Sequence, residues 1–210
     1  EHGDIVFVKV DYLNSPSFVD NMLQQFGSRQ VILVSGCGSA SISQSTREMI
    51  IKSSAIYKWF GTNLDESWHP KCEFLPIGFE EIDRMGGNQD ILWKYYTIGQ
   101  NVEKIDAVYI PYHAIHTNPE RDRILEMLVN TGVAVQESRR LPFDEYLDRL
   151  SRYRYILGLP GSGLDTHRFY ETLLTGGVPI HGNFLCRNWA ARNSIVESYV
   201  EKWEPNSIEK

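Results

Sequence analysis

The chain has 210 residues, 42% of them hydrophobic, a composition that builds an ordinary packed core and excludes a disordered segment. Its 21 lysines and arginines against 27 aspartates and glutamates leave a net charge of −6, which excludes a general affinity for nucleic acid or anionic membrane, so any anion site must be local. Cys37, Cys72 and Cys186 are far apart and odd in number, which excludes a disulfide framework and a Cys-x-x-Cys metal site.

Short apolar runs alternate with helical patterns from the first residues on. Ile5 to Val10 has strand length, and Ser17 to Phe26 follows with Phe18, Met22, Leu23 and Phe26 at helical spacing. Val31 to Val34 is a second strand, running into the loop Ser35-Gly36-Cys37-Gly38-Ser39, and a helix is expected around Ser43 to Ile51. Ala55 to Phe60 and Phe74 to Ile77 are further strands. Strands this apolar, separated by helices, indicate a parallel sheet covered on both faces. Polar residues around Gly86-Gly87 and a helix-like stretch from Gln89 to Ile98 read as a linker. The alternation then restarts with strand Ile105 to Ile110, helix Glu120 to Asn130, strand Val133 to Val135 and helix Phe143 to Leu150. A last helix, about Phe184 to Lys202, carries Trp189, Ile195, Val196 and Tyr199. The restart divides the chain into an α/β unit over 1–82, a linker over 83–100, a second α/β unit over 101–184, and a terminal helix over 185–210 that crosses back toward the first unit. The cleft between two such units, at the carboxyl ends of strands, is where a ligand belongs.

Tyr153 to Ile180 is the most informative stretch, reading as strand, glycine turn, helix, strand. Tyr153 to Leu157 is an aromatic and aliphatic run broken by Pro160, Gly161 and Gly163. Asp165 or Thr166 then caps a helix with Phe169, Leu173 and Leu174 on one side, and Gly176 ends it. A glycine turn feeding a helix start offers unpaired backbone N–H groups and a positive dipole end to an anion such as diphosphate. Arg168 adds a fixed charge there, while His167 and Glu171, one turn apart, share a face suited to a ribose. The glycines match neither Gly-x-Gly-x-x-Gly nor the P-loop, so a dinucleotide or ATP site is not indicated.

Residues 165–180, Asp-Thr-His-Arg-Phe-Tyr-Glu-Thr-Leu-Leu-Thr-Gly-Gly-Val-Pro-Ile, resemble the donor-binding segment of GT-B glycosyltransferases of the exostosin-like group. They are also similar to the corresponding helix of the GT-B fucosyltransferases. Phe7 to Tyr12 with Val31 to Gly36 resembles the first two strands of the exostosin-like group. Trp59 to Leu64, His69-Pro70-Lys71 and Leu75-Pro76-Ile77-Gly78 are similar to its later N-domain segment. The resemblance implies a GT-B-like α/β fold of two small Rossmann-like units with a cleft between them. It implies transfer of a sugar from a UDP- or GDP-sugar, UDP-xylose and GDP-fucose being examples, to a glycan hydroxyl. The nucleotide sugar is a donor substrate, and no cofactor is called for.

On that reading Gly161, Ser162, Gly163, Asp165, Thr166, His167, Arg168 and Glu171 hold the donor. Thr117, Asn118 and Arg121 join them from the loop after the strand ending at Ile110, with Arg123 behind Arg121, and the families use an arginine in this region for the diphosphate. His113 and His116 lie in the same loop with no carboxylate at ligand spacing, so loop packing is expected of them. No Asp-x-Asp pair is present to grip a metal-bound diphosphate; cationic side chains and a helix start must offset the leaving-group charge, an inverting, metal-independent arrangement. The base that deprotonates the acceptor should come from the first unit: Asp11 at the carboxyl end of the first strand leads, then Asp65, then Glu80.

Two other classes remain open. Cys37 on a turn after a strand has the placement of a hydrolase nucleophile, although Ser35 stands where the nucleophile elbow has glycine. A non-catalytic nucleotide-binding lobe is the other. No stretch reaches membrane-crossing length, no signal-peptide pattern opens the chain and no Asn-x-Ser/Thr acceptor is present, which point to a cytoplasmic protein. The chain opens on Glu1 rather than Met, which leaves room for a leader or anchor ahead of it.

Overall fold

The computed structural model describes residues 3–38, 42–64, 69–112, 125–126, 128–130, 134–159, 161, 163 and 165–180. The chain is α/β and divides into two compact units, Glu1–Ile77 and Gly78–Lys210, each with a four-stranded parallel sheet among the described residues.

In the first unit β1 (Ile5–Lys9) runs into a turn of 3-10 helix, Val10–Asn14. Helix α1 (Pro16–Phe26) starts where the Ser15 hydroxyl accepts the Phe18 amide and Pro16 supplies a pre-set φ. Then come β2 (Val31–Gly36), α2 (Gln44–Lys52), started by a Ser43 cap on the Thr46 amide, β3 (Ile56–Gly61) and β4 (Cys72–Phe74). The strands pair in the order β1-β2-β3-β4. Right-handed crossovers taken repeatedly in one direction put every connecting helix on the same face of a sheet. Val19, Met22 and Phe26 of α1 and Ile50 of α2 accordingly pack with Val8, Leu33, Ile56 and Trp59, and the Trp59 indole donates to Ser35 Oγ at 2.9 Å. On β1 the alternate residues Ile5 and Phe7 remain 71% and 57% exposed. The expectation of a sheet covered on both faces therefore does not hold here among the described residues, because a sequential strand order has no reversal that would send a helix to the other side.

The second unit opens with a 3-10 turn, Met85–Gly87, and α3 (Gln89–Gly99), whose first amides bond to Asn88 Oδ1. It continues through β5 (Ile105–Ile110), β6 (Ala134–Gln136), α4 (Phe143–Arg152), β7 (Tyr153–Leu157), α5 (His167–Leu174) and β8 (Val178–Ile180). The strand order is β6-β5-β7-β8. The chain leaves β5 outward to β6, returns past β5 to β7 and goes on to β8, so its connections diverge between β5 and β7. That topological switch point opens a crevice outside the carboxyl ends of these strands.

The stretch 83–100, read as a linker, is part of this unit. Leu92 and Tyr95 of α3 are buried with Leu147 and Leu150 of α4, Tyr109, Tyr153 and Ile156, and Lys94 reaches Asp144 at 2.7 Å. A polar loop ahead of α3 hid a helix with an apolar stripe that needs a partner. Of the helix expected over 120–130, residues 125, 126 and 128–130 are described and are helical; the terminal helix over 185–210 lies outside the described residues.

α3 and α5 meet at their carboxyl ends. Gly176, with φ of 71°, ends α5 as expected, its amide bonded to the Leu173 carbonyl at 3.0 Å. A Cβ on Gly99 would stand 2.5 Å from the Thr175 carbonyl oxygen. Gly99→Ala must push these backbones apart, at a cost of about 1–3 kcal/mol, read as a lower urea midpoint with an unchanged m-value.

Candidate functional site

A cleft of about 730 Å³ is lined, among the described residues, by residues of the second unit. Glu137, Arg139, Arg140 and Leu141 reach it from the loop after β6, and Pro142, Phe143 and Tyr146 from the start of α4. Tyr109 and Tyr112 come from the end of β5 and beyond, and Leu159, Gly161 and Thr166 from the loop after β7. His167, Arg168 and Glu171 come from α5, and Glu80, Met85 and Gly86 from the segment ahead of α3. The cleft thus occupies the crevice that the strand order creates.

At the start of α5 the local geometry differs from the sequence expectation. The Gly161 amide is taken by the Gly163 carbonyl at 3.0 Å, so it is not offered to a ligand. Asp165 is buried and its carboxylate accepts the Tyr170 hydroxyl at 2.9 Å; neither it nor Gly163 lines the cleft. Thr166 holds the N-cap position, yet its side chain caps nothing. Its buried Oγ1 is without a hydrogen-bond partner among the described residues, while Thr166 itself lines the cleft. A buried polar atom of this kind calls for a ligand or a water. The His167 Nδ1 stands 2.8 Å from the Gly78 carbonyl, which can only accept, so the proton sits on Nδ1 and Nε2 is left as an acceptor in the neutral ring.

Glu171 lines the cleft beside His167 and is also one of the buried residues of α5, with Phe169 and Thr172. Its Oε2 accepts the Tyr146 hydroxyl at 2.7 Å, and the same hydroxyl accepts from Arg168 Nε at 3.3 Å. Arg168 Nη2 donates to the Tyr112 carbonyl at 3.0 Å, and the guanidinium lies 5.9 Å from the centre of the Tyr146 ring. Burial pushes the Glu171 carboxyl above its ordinary value near 4.5, while the Tyr146 hydroxyl, Arg168 and His167 pull it back. Burial likewise pushes the Tyr146 phenol well up, keeping it a donor.

Because the folded value of Glu171 is raised, its contribution favours the folded state most at and below the ordinary carboxyl value. That contribution is lost as pH rises through the raised one. Tyr146→Phe removes the donor from a buried carboxylate and should cost about 1–3 kcal/mol at neutral pH. The cost should shrink from neutral to mildly acidic pH, as Glu171 takes up a proton and no longer needs a donor. Urea unfolding of wild type and variant at the two pH values checks this; an equal loss at both would show that the hydroxyl does not act through Glu171.

On the β5–β6 side of the cleft the Tyr109 hydroxyl donates to Glu137 Oε2 at 3.1 Å, and the Glu137 amide bonds to the Ile110 carbonyl at 2.9 Å. Glu80, carried as a first-unit base, belongs to the second unit. Its Oε2 accepts the Gly86 amide at 3.2 Å, and Arg84 pairs with its Oε1 at 3.4 Å.

In the first unit Asp11 lies in the 3-10 turn just past β1, its carboxylate 3.2 Å from Lys9 Nζ. A Cβ on Gly38 would meet Asp11 Oδ1 at 2.6 Å, so the loop after β2 runs directly against that carboxylate. Cys37 in that loop is exposed and has φ of 53°, and His69 in the same unit turns its Nδ1 to the Lys71 amide at 3.2 Å. Asp65, Thr117, Asn118, Arg121, Arg123, Ser162, His113 and His116 lie outside the described residues. Among the described residues no three His, Cys, Asp or Glu side chains gather as a metal site, and no helix is long and apolar enough to cross a membrane.

The structure brings Gly161, Thr166, His167, Arg168 and Glu171 together. Sequence reasoning missed Tyr146, Tyr109, Glu137 and Arg140. Tyr146 carries a core-like signal, an aromatic on the apolar stripe of α4; Arg139-Arg140, in the loop that follows β6, is a pattern that points to a cleft. No protein-family model matches the chain, and comparison with curated proteins gives no match.

Proposed function

We propose that the chain is a GT-B-like glycosyltransferase that moves a sugar from a UDP- or GDP-sugar to a glycan hydroxyl, with inversion and without a divalent metal at the diphosphate. The observation that carries this reading is the start of α5. There, at a parallel-sheet switch point, an unpartnered buried hydroxyl on Thr166 and the Arg168 guanidinium line one cleft. An oxygen of a diphosphate would satisfy the Thr166 hydroxyl and lie against the Arg168 charge, and the helix dipole adds to the attraction. The acceptor-competent His167 Nε2 and the carboxylate of Glu171 suit the hydroxyls of a ribose. The likeness of residues 165–180 to the donor segment of exostosin-like enzymes and GT-B fucosyltransferases supports the same assignment.

In the proposed reaction Asp11, with Asp65 as second choice, takes the proton from the acceptor hydroxyl. The oxygen attacks the anomeric carbon as the bond to the diphosphate breaks, and the bonding pair leaves with the phosphate oxygen, where Arg168 and the α5 start offset its charge. A single displacement inverts the anomeric configuration.

Calorimetric titration with UDP- and GDP-sugars, with and without chelator, tests this. Binding that survives chelation is expected. Binding that vanishes with chelator would reject the metal-free mechanism, and no heat with any sugar nucleotide would reject the reading itself.

A further inference from the structure

We infer that the base carried by the donor is guanine, and that Glu137 reads it. The inference rests on the nucleotide-sugar reading of the cleft and narrows it from two bases to one. The diphosphate end is fixed by Arg168 and Thr166 at the start of α5, which follows β7. Glu137 stands past the carboxyl end of β6, on the far side of β5 from β7. Its amide is bonded at the end of β5 and Arg168 Nη2 reaches the Tyr112 carbonyl just past the same strand, so one nucleotide lying across β5 meets both.

Glu137 is built to present a carboxylate edge. Its backbone amide continues the ladder to β5 through the Ile110 carbonyl, so the residue does not drift with its loop. The Tyr109 hydroxyl fixes Oε2, and Tyr109 is itself buried and stacked on Tyr153 at 4.8 Å between ring centres and 13° between planes. Burial pushes the Tyr109 phenol up, so it stays a donor and holds the carboxylate rather than repelling it. The half-buried Glu137 lines the cleft, and its carboxylate has acceptor capacity beyond the one bond from Tyr109.

A carboxylate accepts and never donates at neutral pH. Guanine offers two adjacent donors on its pairing edge, N1–H and N2–H, which match the two carboxylate oxygens. Uracil offers one N3–H flanked by two carbonyls, so one carboxylate oxygen would face a carbonyl oxygen. Adenine and cytosine each set a ring-nitrogen acceptor beside their amino group, with the same conflict. Arg140, from the same loop and on the same cleft, supplies a donor for the guanine O6. A site that pairs every polar atom of one base rejects another because its buried groups are then left unpaired.

The test is calorimetry on the full chain with GDP, UDP and ADP, for wild type and Glu137→Gln. Wild type should bind GDP at least about 10-fold more tightly than UDP or ADP. In Glu137→Gln the carboxamide still accepts from Tyr109 but turns a donor toward the base. GDP should weaken about 10–100-fold while UDP, whose carbonyl now meets a donor, holds or gains. Equal thermal stability of the two proteins shows that the change is local. Tighter binding of UDP than GDP by wild type, or an equal loss for both in the variant, overturns the guanine assignment and leaves the nucleotide reading intact. Absence of binding by all three overturns both.

Discussion

Replacing Arg168 by alanine should lower turnover about 10²–10³-fold and weaken nucleoside diphosphate binding, because on the proposed reading it removes the charge that offsets the leaving group at the moment of bond breaking. The guanidinium is held before any donor arrives: Nε on the Tyr146 hydroxyl, Nη2 on the Tyr112 carbonyl, and the plane near the Tyr146 ring. Such preorganisation spares the reaction a reordering step. Arg168→Lys keeps the charge but not the fork of donors, and should recover only part of the loss. Arg168 also lowers the proton affinity of Glu171, so its removal pushes that buried carboxyl further up and makes the variant less stable at neutral than at mildly acidic pH. Turnover, diphosphate affinity and melting temperature must therefore be measured together. Near-normal turnover in a folded Arg168→Ala would sink the leaving-group role, whereas lost turnover with retained diphosphate affinity would move Arg168 from binding to the transition state alone.

Which parts of this architecture are legible in the sequence follows from which interactions are local. β1 and β2 begin with four apolar residues each, and β3, β5 and β7 are apolar but for Lys58, Asp106 and Arg154 and the closing Gly61; runs of that length and composition have few alternatives to a strand. The α5 segment was legible because glycines, a cap position and Gly176 punctuate it within a few residues. Strand order was not legible, since the sequential sheet of the first unit and the switching sheet of the second are built from the same kinds of strand. The order decides which faces are covered and where the crevice opens. The same holds for Glu171. Spacing put it on a face with His167, but its burial is set by Tyr146, on another helix and 25 residues earlier. Glu137 and Tyr109 pair across two strands, and no local pattern announces that. Residues 83–100 read as a linker because polar punctuation around Gly86-Gly87 looks the same before a linker as before a helix that docks, as α3 does through Leu92 and Tyr95.

Asp11→Asn should lower turnover about 10²–10⁴-fold and leave donor affinity nearly unchanged, since a general base acts on the acceptor proton and not on the nucleotide. Asparagine keeps the shape of the side chain and its place in the turn after β1, so a loss cannot be laid to altered packing. The half-exposed carboxylate keeps one oxygen 3.2 Å from Lys9 Nζ. The loop after β2 fixes the other side. A Cβ on Gly38 would stand 2.6 Å from Oδ1, so Gly38→Ala must displace the carboxylate and should reduce turnover in the same direction without touching the donor site. Glu80 does not compete for this role from the first unit, because it belongs to the second and its carboxylate holds the Gly86 amide and Arg84. Single-turnover rates with saturating donor, for wild type, Asp11→Asn and Gly38→Ala, separate chemistry from binding. If Asp11→Asn turns over like wild type, the base lies elsewhere and Asp65→Asn is the next variant to measure. If the product keeps the anomeric configuration of the donor, no single displacement took place and the base role fails with it, whichever carboxylate is named.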